Sequence, residues 1–155
     1  YDTNTTWLSD LEPLAAQRGT GLPEPVYRRD RSLDDHPLRL GEREFAKGLG
    51  CGANTVLVYD LSRRFERFEA LVGVDAEVAG ATNPAPSVCF TVHVDGRLRF
   101  ESGPMFKGTA PKPVKIDLRN AQTLMLRVSN NWDDNGRNAN DHGNWAEARL
   151  VGRAE

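Results

Sequence analysis

The densest run of potential ligand groups lies between Asn130 and Asn144 (NNWDDNGRNANDHGN), with five Asn between Asn130 and Asn140, four Asp or His side chains, and Trp132. Oxygen-rich loops of this kind suit Ca2+, which takes carboxylate and carbonyl oxygens. The spacing matches no EF-hand, and Asn/Asp enrichment also follows from turn chemistry and tolerance of left-handed backbone. Turn and ligand contact both stand as readings of this loop. Trp132 is a large aromatic in polar surroundings; it can cover the C–H face of a sugar ring or fold back onto the protein edge. Glu147 stands among small apolar residues in WAEARLV. A buried carboxylate there needs a cation or hydrogen-bond donors, which a bound Ca2+ or a nearby Arg would supply.

Other constellations are missing. His36, His93 and His142 are not in H-E-x-x-H or H-x-x-x-H spacing, no G-x-S-x-G occurs, and no glycine-rich phosphate loop precedes a helix. Carboxylates are plentiful, but nothing singles out an acid/base pair of the glycosidase kind. The sequence therefore points away from an enzyme. Lys and Arg number 20 against 22 Asp and Glu, without the basic excess of a nucleic-acid binder. The one basic cluster, Arg28, Arg29 and Arg31, is interleaved with Asp30, Asp34 and Asp35 and reads as a solvated loop. No apolar run reaches the length of a membrane-spanning helix. The chain opens at Tyr1 without Met, which reads as a processed protein or an excised domain, so the lack of a signal peptide carries no information on export. Cys51 and Cys89 are too sparse to define a disulfide framework. Both read as small hydrophobic positions in or beside strands, and their pairing stays open.

These groups must be positioned by strands. A length of 155 residues, spanned as one domain over 1–155, and 39% hydrophobic residues suffice for one core. In Ser87–Asp95, Val88, Phe90, Val92 and Val94 alternate with Cys89, Thr91 and His93, and Asp95-Gly96 then predicts a tight hairpin into Arg97–Ser102, with Leu98 and Phe100 inward. Thr55–Leu61, Phe65–Val74, Lys112–Leu118, Thr123–Ser129 and Trp145–Val151 read as further strands, with another near Trp7–Leu11 and a short helical turn over Pro13–Gln17. Trp7 and Trp145 read as packing residues. Eight or so short strands separated by Gly, Pro, Asn and Asp indicate an all-β, antiparallel sandwich or barrel. Gly19–Pro37, Ala79–Pro86 and Asn130–Asn144 are its long loops, where binding groups normally sit.

Several pieces of wording then fall in a recognisable order: LSDL at Leu8–Leu11, DRS at Asp30–Ser32, KGLGCGANTVLVYDL at Lys47–Leu61, FEALVGVDAEV at Phe68–Val78, VHVDGRLRFESG at Val92–Gly103, the LMLRV strand, and DHGNWAEARL at Asp141–Leu150. Together they resemble the NPCBM domains and family 51 carbohydrate-binding modules over nearly the whole chain. The resemblance implies a jelly-roll, galactose-binding-like β-sandwich with one structural Ca2+. It also implies a non-catalytic module attached to a secreted bacterial glycoside hydrolase, recognising terminal galactosides. Carried over by position, Asp30, Ser32 and Glu147 match the calcium region, with Asp10 close by if the chain ends pair. His142, Asp75 and Glu77 match polar positions of the sugar motif, and Trp132 and Asn131 join them as loop neighbours. Two departures stand out. Gly52 occupies the place where the family commonly has His, and Gly21–Arg29 (GLPEPVYRR) replaces an aromatic Gly-Trp-Gly stretch, leaving Tyr27 as a substitute stacking surface. The expectation is a calcium-bearing glycan-binding module; the alternative is a structural or protein-interaction sandwich with a degenerate sugar site.

Overall fold

The computed structural model describes residues 4–18, 26–77, 87–106, 108–130 and 142–152. Among them, the chain runs through β1 (Thr5–Trp7), a 3-10 turn (Leu8–Asp10), β2 (Ala15–Arg18), β3 (Tyr27–Arg29), β4 (Leu38–Leu40), β5 (Arg43–Phe45), β6 (Gly48–Gly52) and β7 (Thr55–Asp60). It continues through β8 (Phe65–Val74), β9 (Ser87–Val94), β10 (Arg97–Glu101), β11 (Met105–Phe106), β12 (Lys112–Asp117), β13 (Thr123–Asn130) and β14 (His142–Gly152). The first sheet has the order β12-β8-β14-β6-β3, with β1 also on β14; the second has the order β10-β9-β13-β7-β2, with β11 on β9. A separate hairpin joins β4 to β5. All pairings in the two sheets are antiparallel. The expected jelly-roll β-sandwich is the fold observed.

Alternation builds the core. Val88, Phe90, Val92 and Val94 of β9, with Leu124, Leu126 and Val128 of β13, face Phe68, Ala70, Val72 and Val74 of β8 across the sandwich. Trp145 lies at the centre, fully buried, and meets Phe90 edge-on at 5.2 Å between ring centroids, the favoured T-shaped geometry. That contact requires Gly143, where a Cβ would stand 2.8 Å from the Phe90 ring. β14 is the organising strand: β8 runs along one edge, and β6 then β1 share the other. The handover falls at Glu147, whose φ of 53° and N–H bond to the Lys47 carbonyl (2.8 Å) mark a bulge.

The outer face of the first sheet is covered as well. Leu38, Leu40 and Phe45 of the β4–β5 hairpin pack on Ala146 and Leu71. Close approach is possible because β6 is rich in glycine. A Cβ on Gly50 would fall well inside 3.0 Å of the Arg31 carbonyl and the Ser32 backbone. The KGLG stretch therefore lays the segment after β3 flat on the sheet.

Some expectations change. The segment expected to form a helical turn over Pro13–Gln17 instead leads into β2, whose Ala15 pairs with Val58; the ladder offered by the edge of β7 outweighs a weak local preference. The N-terminal strand covers Thr5–Trp7, and a 3-10 turn follows it. Leu98 points outward, 53% exposed. The two-residue turn, with positive φ at Asp95 and Gly96, pairs Leu98 with His93 on the outer face, and a bulge then returns Phe100 to the core side. Short β3, β4, β5, β6 and β11 were not legible, because they lack a run of alternating residues. No disulfide joins Cys51, in the core, to Cys89.

Gly50→Ala is expected to destabilise the fold by about 1–3 kcal/mol through overpacking against backbone, read as a lower melting temperature. An unchanged melting curve would mean that the Arg31–Ser32 segment does not rest on β6.

Candidate functional site

The site grows from the end of β14 that carries His142 and Asn144. Trp145 must point into the core, so its neighbours at alternate positions point to the outer face. There His142 lies opposite Gly52, and Asn144 lies between Gly50 and Gly73, so the neighbouring strands add no side chain at these positions. Asp75 follows β8 directly, and its N–H donates to the His142 carbonyl (3.0 Å).

Two buried carboxylates anchor the arrangement. Asp75, 1% exposed, accepts from the Asn144 side-chain amide, the Arg39 N–H (3.2 Å) and the Glu77 N–H (2.8 Å). Burial holds its carboxyl above the ordinary carboxylate value despite these donors. Glu77 accepts from the Ser32 hydroxyl, from Nδ1 of His142 (2.8 Å) and His36 (2.9 Å), and from the Asp34 N–H (3.3 Å). Burial alone would raise its pKa, but the bonds from His142, Ser32 and His36 hold it down at about 2. Glu77 is thus ionised and can only accept, so both imidazoles donate from Nδ1. The Asp34 carboxylate approaches the same His142 nitrogen at 3.7 Å.

Above these groups opens a cleft of about 270 Å3, lined by His36, Pro37, Arg39, Glu44, Asp75 and Glu77. It offers carboxylate acceptors beside guanidinium and imidazole donors, a pattern suited to a small polyhydroxylated ligand. A second groove, of about 300 Å3 along β8 and β12, is lined by Glu66, Arg67, Lys115, Ile116, Asp117 and Arg119. Its Arg119 is paired with Asp117 (2.8 Å).

Of the residues assigned to sugar from the sequence, His142, Asp75 and Glu77 come together here. Asn131 and Trp132 lie outside the described residues. The four assigned to calcium separate. Ser32 belongs to the Glu77 cluster. Asp10 and Asp30 share the Lys47 ammonium, at 3.0 and 2.9 Å, and Asp30 also accepts from the Gly48 N–H (3.0 Å). Glu147 lies near Arg43 (3.8 Å) and Arg149 (4.0 Å), away from the other three. A calcium ion between Asp10 and Asp30 would stand against the Lys47 charge, so these four residues do not fit one calcium site. His36, Asp34, Arg39 and Glu44 were missed by sequence reasoning. His36 sits four residues after Ser32, whose hydroxyl accepts from its N–H (3.0 Å). No periodicity announces that turn.

Two outcomes follow. Because Glu77 is depressed from its ordinary 4.5 to about 2, its stabilisation is present above pH 4.5 and lost as the pH falls toward 2. Asp75, shifted upward, acts in the opposite sense, since its protonation relieves the cost of burial. In metal-free protein, Glu77→Gln should lower stability at neutral pH by about 2–3 kcal/mol and flatten the acid limb of the stability curve. An unaltered acid limb would contradict the assignment. The calcium expectation is checked by adding Ca2+ to chelator-treated protein: a raised melting temperature would establish a calcium site elsewhere on the chain, and an unchanged one would remove that expectation.

Comparison with known proteins agrees with this architecture. The NPCBM/NEW2 domain matches residues 4–151. Over 96% of its length the chain is 28% identical to a protein of Renibacterium salmoninarum that bears the name of an endo-alpha-N-acetylgalactosaminidase, and it spans 10% of that protein. The CBM51 of Clostridium perfringens GH95, solved in complex with methyl-galactose, shares 34% identity and a TM-score of 0.82, covering 95% of this chain and 99% of that one. CBM51-2 of Clostridium perfringens ZmpB, solved with GlcNAc and INT domains, matches at 34% identity and a TM-score of 0.80, covering 97% of this chain and 32% of that one. A structure of the ZmpB M60 catalytic domain with CBM51-1 and CBM51-2 matches at 35% and 0.83, with 97% and 15% covered. With the family match covering residues 4–151 and the sandwich agreeing with the CBM51 structures, the chain belongs to the NPCBM/NEW2 domain family.

Proposed function

We propose that this chain is a non-catalytic carbohydrate-binding module that holds a terminal galactoside in the cleft lined by His36, Arg39, Glu44 and Glu77 and targets a larger secreted bacterial glycoside hydrolase to glycans. The observation that carries the reading is the cleft itself. An ionised Glu77 and the Asp75 carboxylate supply acceptors, and His36 and Arg39 supply donors, all around a volume of about 270 Å3. That is below the roughly 300–1,000 Å3 of drug-sized pockets, and it suits one sugar ring. The methyl-galactose complex of the GH95 module supports galactose as the first ligand to test. The GlcNAc complex of the ZmpB module makes GlcNAc the natural competitor. Trp132 is the residue assigned to cover the apolar ring face.

The side chains would bind and orient hydroxyls: carboxylate oxygens accept two O–H groups, while the imidazole and guanidinium fix the neighbouring oxygens. No nucleophile and general-acid pair is assigned, and chemistry is left to the attached catalytic domain. A single-ring site of this kind is expected to bind at ~0.1–1 mM, or ~4–5.5 kcal/mol; several copies on one polypeptide would gain by avidity. The second reading, a protein-interaction sandwich with a degenerate sugar site, draws on Gly52. It stands directly opposite His142 and contributes no side chain to the sugar.

Screening on a glycan array followed by titration with methyl-galactose tests the proposal. Binding that weakens about tenfold in Arg39→Ala, a loss of about 1.4 kcal/mol, is expected. Silence across the array at high protein concentration would turn the assignment to the second reading.

A further inference from the structure

We infer that Asp34, Glu77 and His142 also form a three-donor site for a divalent transition metal such as zinc, which shares Glu77 with the cleft. One ligand atom from each lies within 4.8 Å of the other two. His142 Nδ1 stands 2.8 Å from Glu77 Oε2 and 3.7 Å from Asp34 Oδ2. Bonds of about 2.0–2.2 Å from zinc to nitrogen and oxygen place neighbouring donor atoms roughly 3–4 Å apart, so small adjustments suffice. The donor set of one imidazole and two carboxylates favours zinc or a similar first-row ion over calcium, which wants six or more oxygens.

The site is built rather than incidental. The side chains of His142 and Glu77 are 4% and 6% exposed, while Asp34, 49% exposed, closes it from the solvent side. Surrounding contacts already aim the donors. The Ser32 hydroxyl and His36 Nδ1 hold Glu77 Oε1 and leave Oε2 turned to His142. Asp75 accepts the Glu77 N–H, and its own N–H fixes the backbone at His142. Such contacts orient metal ligands in known sites. Metal binding replaces the bond from His142 Nδ1–H to Glu77. The Nδ1 proton leaves, and the ring coordinates through Nδ1 while Nε2 keeps or takes up a proton. One proton is released when the ring starts as imidazolium, and none when it starts neutral and changes tautomer. Coordination would also occupy Glu77 Oε2, so the metal and a sugar hydroxyl compete for that oxygen.

The competition rests on the sugar-binding reading; the metal site does not. Untagged, chelator-treated protein is titrated with zinc chloride by calorimetry without sugar, and the melting temperature is followed in parallel. The expected result is one zinc per chain with a rise in melting temperature, and an affinity lowered roughly tenfold or more in Asp34→Asn and in His142→Gln. Asp34 is exposed enough for its variant to keep the fold, and His93→Ala, on the other sheet, should bind as the wild type does. Absence of zinc binding in the folded wild type overturns the inference, as does undiminished binding in Asp34→Asn. Methyl-galactose binding by the same sample would show that the sugar reading survives either failure.

Discussion

Burying the carboxylate of Glu77 is tolerable only because donors from distant parts of the chain converge on it. An isolated buried charge is strongly unfavourable, yet here the Ser32 hydroxyl, the Asp34 N–H and two imidazoles surround it. The consequence is mechanical as well as electrostatic. Glu77 ties the segment after β3, the exit of β8 and the start of β14 into one unit, and the cleft is the space that this unit leaves open. Asp75 performs the neighbouring task, accepting from Asn144 of β14, from Arg39 of the outer hairpin and from Glu77. Recognition groups are thereby held on strands and short turns, which preserves their geometry when a ligand arrives.

That convergence depends on what is absent from the strand surface beneath it. Gly50, Gly52 and Gly73 flank His142 and Asn144, so two polar side chains and a covering loop fit where larger residues would collide. On the other side of the same strand, Gly143 leaves room for Phe90, and Trp145 fixes which residues face inward. Core and site are therefore coupled through the period-two geometry of β14. Moving this strand by one residue would expose Trp145 and bury His142 on the wrong face. Lys47 adds a clamp at the far end of β6, joining Asp10 of the 3-10 turn to Asp30 after β3.

Much of the sandwich was legible in the sequence because its long strands alternate cleanly. The Ser87–Asp95 pattern and the Asp95-Gly96 turn specify β9 and its hairpin, and Trp145 reads as core. Short strands such as β4 and β5 were not legible, since three residues show no period and their pairing is set by packing on Ala146 and Leu71. The site was legible in part. His142, Asp75 and Glu77 follow from the family wording, whereas Asp34 and His36 reach Glu77 across more than forty residues of sequence, a distance that no local signal spans. The four residues assigned to calcium lie apart for a similar reason. Charge balance at Asp10 and Asp30 is supplied by Lys47, an ordinary surface-type residue whose partners only the fold discloses.

The position of a bound sugar is the most direct test. A crystal structure of the module soaked with methyl-galactose should show the ring in the cleft lined by His36, Arg39 and Glu77, with its hydroxyls on the Asp75 and Glu77 carboxylates. A ring seated instead in the groove lined by Arg67, Lys115 and Arg119, with the His36–Glu77 cleft left empty, would contradict it.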